Sequence, residues 1–138
     1  MRLKLDQDVL GLSSLMERMT GARVKDCFKD ESTQTIYFIV APGELGKAVG
    51  KGGANVHRLQ NELGKRIKIV EYREEISQFI KNIIYPLTVA EVVEEENQIL
   101  LKDSNKKTKS LLIGREGRNL ILLNRAVQRF FNKEVKIV

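Results

Sequence analysis

Val49-Gly50-Lys51-Gly52-Gly53-Ala54-Asn55-Val56 returns 64 residues later as Ile113-Gly114-Arg115-Glu116-Gly117-Arg118-Asn119-Leu120. Both copies read apolar-G-x-x-G-x-Asn-apolar, with a basic residue in the loop. Each is followed by an amphipathic run and then a near-identical strand, Ile67-Lys68-Ile69-Val70 or Val135-Lys136-Ile137-Val138. One such loop could be an accident of glycine placement, but two with the same flanks mark an internal duplication. Lacking Cβ, a glycine turn lets the backbone approach a phosphate closely and take up positive φ. A helix that starts there adds unpaired N–H groups and the positive end of its dipole.

Working outward, 138 residues at this offset divide into two units of roughly 65–70 residues, each near the lower limit for independent stability. A hydrophobic content of 42% suffices for packed cores and argues against disorder. In the first unit, Val9, Leu12, Leu15, Met16 and Met19 recur at helical spacing over Leu5 to Met19, with Asp6 or Asp8 as cap and Gly21 as stop. Strands follow at Arg23 to Lys29 and Thr35 to Val40, joined by the turn Asp30-Glu31-Ser32. A short helix from Pro42-Gly43-Glu44 to Val49, the glycine loop, a helix over Ala54 to Leu63 and a strand over Arg66 to Tyr72 complete the order α-β-β-α-α-β. The second unit repeats it. Helix Glu74 to Ile84 is stopped by Pro86, and strands Leu87 to Val93 and Gln98 to Leu101 flank the acidic turn Glu94-Glu95-Glu96-Asn97. Helices Ser104 to Ile113 and Asn119 to Asn132 and a strand over Val135 to Val138 end the chain. The domains are therefore expected at 1–72 and 73–138, with almost no linker between them.

The net charge of +6 is unevenly spread. Residues 73–101 carry two Lys/Arg against six acids, a net of −4, whereas residues 102–138 carry ten against three, a net of +7. Basic charge gathered around a glycine loop favours a nucleic-acid surface over a merely solvated face. Cys27 stands alone, so neither a disulfide nor a cysteine metal cluster is expected, and its setting predicts a buried thiol. There is no signal pattern and no apolar run near 18 residues, which predicts a soluble, cytoplasmic protein without membrane contact. His57, the only histidine, has no nucleophile or carboxylate at a useful spacing and reads as a surface or phosphate-edge residue. Asn55 and Asn119 recur at one place, and a helix-start hydrogen bond is their first reading, an RNA contact the second.

The order α-β-β-α-α-β with G-x-x-G between the last two helices resembles the type II KH domain, a single-stranded RNA-binding module. Gly50 to Val56, Leu63-Gly64-Lys65-Arg66 and Ile113 to Asn119 further resemble the archaeal NusA-like family of transcription factors, over nearly the whole chain. The resemblance implies an α+β fold of two tandem type II KH domains packed as one unit. It implies single-stranded RNA as partner, with RNA polymerase or another transcription protein as a candidate second one. The implied role is non-enzymatic, in termination or antitermination, with no cofactor and no metal. By carry-over, Gly50, Lys51, Gly52 and Gly53 form one clamp on about four nucleotides, and Gly114, Arg115, Glu116 and Gly117, with Arg118 beside them, form the other. Bacterial relatives add a polymerase-binding domain and an S1 domain, neither of which is expected within these 138 residues. Glu116 departs from an ideal clamp because a carboxylate repels phosphate, which ranks the second loop below the first. Apolar floors are expected from Val49, Val56, Ile67 and Ile69, and from Ile113, Leu120, Val135 and Ile137, most of them core.

Two alternatives stay open. The same fold could serve as a ribosome-associated, protein-interaction or single-stranded DNA-binding module, since only contacts to the 2′-hydroxyl distinguish RNA from DNA. In that reading the acidic turn at Glu94 is a docking site or a solvated hairpin tip. Gly46 to Gly52 reads G-x-x-x-G-K-G, superficially a nucleotide-binding loop, but is one residue short and has Gly52 where Ser or Thr should hold magnesium.

Overall fold

A computed structural model describes the backbone of residues 2–138 and the side chains from Leu10 onward. The chain divides into two units, the first ending at Arg73 and the second spanning Glu74–Val138. Both are mixed α+β.

In the first unit, helix α1 (Arg2–Thr20) leads into strands β1 (Val24–Asp30) and β2 (Thr35–Val40). Helix α2 (Leu45–Val49), a single 3-10 turn, helix α3 (Ala54–Leu63) and strand β3 (Arg66–Glu71) follow. Strand β2 is central, antiparallel to β1 and parallel to β3, which leaves β3 on an edge. Because side chains alternate along a strand, Ile36, Phe38 and Val40 all face the helices. There they pack with Cys27, Met16, Ala48 and Leu59 in a closed core. Cys27 is buried, as its setting predicts. Helix α1 begins before Leu5, so Asp6 and Asp8 fall inside it instead of capping it; their side chains and that of Val9 lie outside the described residues. Gly21 stops the helix with φ +75° and an N–H bond to Glu17 O at 2.8 Å. The hairpin turn is tied by Asp30, whose carboxylate accepts from Ser32 N, Ser32 Oγ and Thr33 Oγ1.

The second unit repeats the order with α4 (Ile76–Ile84), β4 (Glu91–Glu94), β5 (Gln98–Lys102), α5 (Lys106–Ile113), a 3-10 turn, α6 (Arg118–Phe131) and β6 (Glu134–Ile137). Strand β5 is central, antiparallel to β4 and parallel to β6. Ile99 and Leu101 pack with Ile76, Ile80, Leu123, Val127 and Val135. Strand β4 is shorter than the expected Leu87 to Val93. The Ala90 N–H donates to Asp103 Oδ2 at 3.0 Å, and its registered partners on β5 begin only at Glu91. Helix α5 starts at Lys106, not Ser104, because Asn105 caps it by accepting from Thr108 N at 3.0 Å. Among the described residues, no helix is long and apolar enough to cross a membrane.

On the sheet face opposite the first core, Tyr37 and Lys68 are registered neighbours on β2 and β3. Burial raises the Tyr37 phenol, with Asp30 adding to the effect, and burial lowers the Lys68 ammonium below its ordinary value of 10.5. A lowered folded-state value means that the charged amine costs stability at neutral pH, a cost relieved as pH rises toward the unfolded value. Lys68→Met is therefore expected to raise the urea unfolding midpoint at pH 7, with the gain shrinking as pH approaches 10.5.

Candidate nucleic-acid interface

Each glycine loop is a tight reversal between two helices. Helix α2 ends with Gly50 N–H bonded to Gly46 O at 2.9 Å, and α5 ends with Gly114 N–H bonded to Ser110 O at 2.9 Å. The backbone then turns at positive φ in each loop, Gly50 at (81°, 163°) and Gly114 at (78°, 169°). The 3-10 turns Lys51–Gly53 and Arg115–Gly117 close through Gly53 N to Gly50 O at 3.0 Å and Gly117 N to Gly114 O at 3.1 Å. Gly53 and Gly117 open the next helices with φ of 77° and 73°. The two loops are thus one conformation made twice.

An asparagine holds each loop in that shape. Asn55 Nδ2 donates to Lys47 O at 3.0 Å, and Asn119 Nδ2 donates to Leu111 O at 2.9 Å. These are helix-start residues, as read from the sequence, but their bonds run back to the preceding helix and satisfy a carbonyl its last turn leaves over. The clasp also explains the first glycine. A Cβ on Gly50 would lie 2.9 Å from both Asn55 N and Asn55 Cγ, and one on Gly114 would lie 2.7 Å from Asn119 Cγ.

Lys51, Gly52, Arg115 and Glu116 are all exposed at the tips, and the first amides of such a turn have no partner within it. The tips differ in one residue. Gly52 sits at φ +62° where L side chains are strained, and Glu116 occupies the same region at φ +58°. Its carboxylate lies 4.0 Å from Arg118 Nη2, a solvent-screened pairing of little energy that still sets a negative charge beside the most basic loop. Lys106 and Lys107 are exposed on the helix before it, and Arg125 and Arg129 on the helix after it.

The other candidate residues fall as follows. Val49 and Val56 are half-buried beside the first loop, while Ile67 and Ile69 pack against the first core. Leu120 and Ile137 likewise pack on the second core and Val135 belongs to it, but Ile113 is 37% exposed. His57 is exposed, with its ring 3.6 Å from where a Gly53 Cβ would stand. Residues 46–49 lie within helix α2, so the nucleotide-loop resemblance lacks the strand and open loop its chemistry requires. The acidic turn has a structural partner: Lys133 Nζ donates to Glu94 Oε2 at 2.8 Å and to Glu95 O at 2.7 Å. Among the described residues, no group of His, Cys, Asp and Glu could hold a metal ion.

The profile of the KH domain family matches residues 13–97, more than half of the chain and including the first loop. The probable transcription termination protein NusA of Methanococcus vannielii is 36% identical over 123 residues, covering 87% of this chain and 70% of the relative. Its counterpart in Halococcus morrhuae is 30% identical, covering 96% and 95%. The crystal structure of APE1850 superposes with a TM-score of 0.76 at 28% identity, covering 96% of this chain and 99% of that one.

The clasp predicts that Asn55→Ala and Asn119→Ala each cost about 0.5–1 kcal/mol, through a lost bond at a solvent-exposed position. Glu116→Gly is expected to gain about 1 kcal/mol by relieving the left-handed side chain. Urea denaturation of the three variants checks both signs.

Proposed function

This chain belongs to the KH-domain family of archaeal NusA transcription termination proteins, and we propose that it binds single-stranded RNA in termination or antitermination through both glycine loops. In this reading the chain is a tandem of type II KH domains, 1–72 and 73–138, the second inferred from the loop it repeats. The carrying observation is that two segments of different sequence, Lys51-Gly52 and Arg115-Glu116, are held in one tight reversal by the same asparagine clasp.

The first clamp comprises Gly50, Lys51, Gly52 and Gly53. Its amides and the Lys51 ammonium receive backbone phosphates, which positions the strand and carries no sequence information. The second comprises Gly114, Arg115, Glu116 and Gly117 with Arg118. There Glu116 opposes the arginines, and the lysines of α5 supply the longer-range attraction. The function is binding and not catalysis, and needs no cofactor. RNA polymerase or another transcription protein is the proposed second partner, and the cytoplasm the proposed compartment.

Fluorescence anisotropy with single-stranded RNA, duplex RNA and single-stranded DNA of matched length, across a salt series, tests the proposal. Preference for single-stranded RNA with affinity falling as salt rises is expected; equal weak binding to all three would overturn it. Lys51→Asp with Gly52→Asp should weaken RNA binding about tenfold or more by placing carboxylates against phosphate. The fold should survive, because the tip is exposed and Glu116 already shows that a side chain fits the backbone of Gly52.

A further inference from the structure

The two units differ at the free edge of their sheets. In a parallel pair, alternate residues of an edge strand turn both N–H and C=O away from the sheet. In the first unit, Arg66 N bonds Gln34 O and Tyr72 N bonds Val40 O, so Ile67 and Ile69 of β3 are the outward ones. In the second, Glu134 N bonds Asn97 O and Val138 N bonds Leu101 O, so Val135 and Ile137 of β6 face outward.

At Val135 that edge is taken. Asn124, on α6, accepts from Val135 N through Oδ1 at 2.7 Å and donates to Val135 O through Nδ2 at 3.2 Å. One carboxamide thus fills an adjacent donor and acceptor, the pattern a nucleobase edge would offer to the same backbone. The residue also lines a shallow depression of about 560 Å³ with Leu120, Ile121, Arg125, Gln128 and Glu134. The depression continues along the helix that the second glycine loop opens. In the first unit the matching residue is Gln60, counted from the clasp asparagines, and among the described residues no side chain bonds the outward groups of Ile67 or Ile69.

We infer that Asn124 is a built-in stopper: it closes the backbone of Val135 to a base, so that base readout through a strand edge falls to β3 of the first unit. The second unit then holds phosphate without reading the base beside Val135. This rests on the RNA-binding reading and deepens it. A backbone amide accepts any base that presents a neighbouring donor and acceptor, so the ligand class is an unpaired nucleobase in single-stranded RNA.

Amide hydrogen exchange on the full chain, with and without saturating oligo(A), oligo(C) or oligo(U) hexamers, decides it. Val135 should be protected before RNA is added and unchanged afterwards, while Ile67 or Ile69 should start labile and slow about tenfold or more with at least one hexamer. In Asn124→Ala, the Val135 amide should become labile and then respond to RNA. The inference is overturned if Val135 exchanges as fast as Ile67 in the free protein, or if hexamers bind and slow neither Ile67 nor Ile69. If no hexamer binds the wild type by anisotropy, the RNA-binding reading itself fails, a result distinct from either of those.

Discussion

The carboxamide of one asparagine per unit sets the spacing on which both loops depend. Asn55 and Asn119 stand at the start of one helix and bond the end of another, so the two helices cannot separate without losing a polar contact. The side chain lies across the reversal and leaves no room for a Cβ at its first residue. Glycine there is demanded by a neighbour and not only by a torsion angle. A loop fixed in this way loses little freedom when something binds it, and binding cost falls accordingly.

With the backbone held constant, the two copies diverge in what they present. The first tip is lysine and glycine, open and positive. The second sets a carboxylate between arginines, within a far more basic stretch. The strand edges diverge in the same direction, open at Ile67 and Ile69 but occupied at Val135. The two copies thus share a scaffold, while the groups they expose at the loop tips and strand edges differ.

The repeat was readable from the sequence because its signals are local. Glycines at positive φ, the Gly64 stop and the alternation through Ile36, Phe38 and Val40 depend on near neighbours, and those elements lie close to where the pattern places them. What was not readable depends on partners far along the chain. The start of β4 is decided by Asp103, thirteen residues beyond Ala90. The clasp needs a carbonyl eight residues back, and the bond between Asn124 and Val135 needs a strand that pattern alone places only roughly. Asn55 and Asn119 were visible as a recurring pair; the direction of their bonds was not.

The helix after the second loop is four residues longer than its counterpart, α6 with 14 against α3 with 10. Four residues come to slightly more than one full turn and lengthen the helix by about 6 Å. Counted from the loops, Leu123 occupies the place of Leu59, both buried, and the added turn brings Phe131 onto the second core. Both helices still end in a left-handed residue, Gly64 and Asn132. Growth of such a module is quantised: a two-residue insertion would rotate everything beyond it by about 200° and carry the apolar stripe into water. Gain or loss by whole turns is the route by which this fold can change size while its loop stays in place.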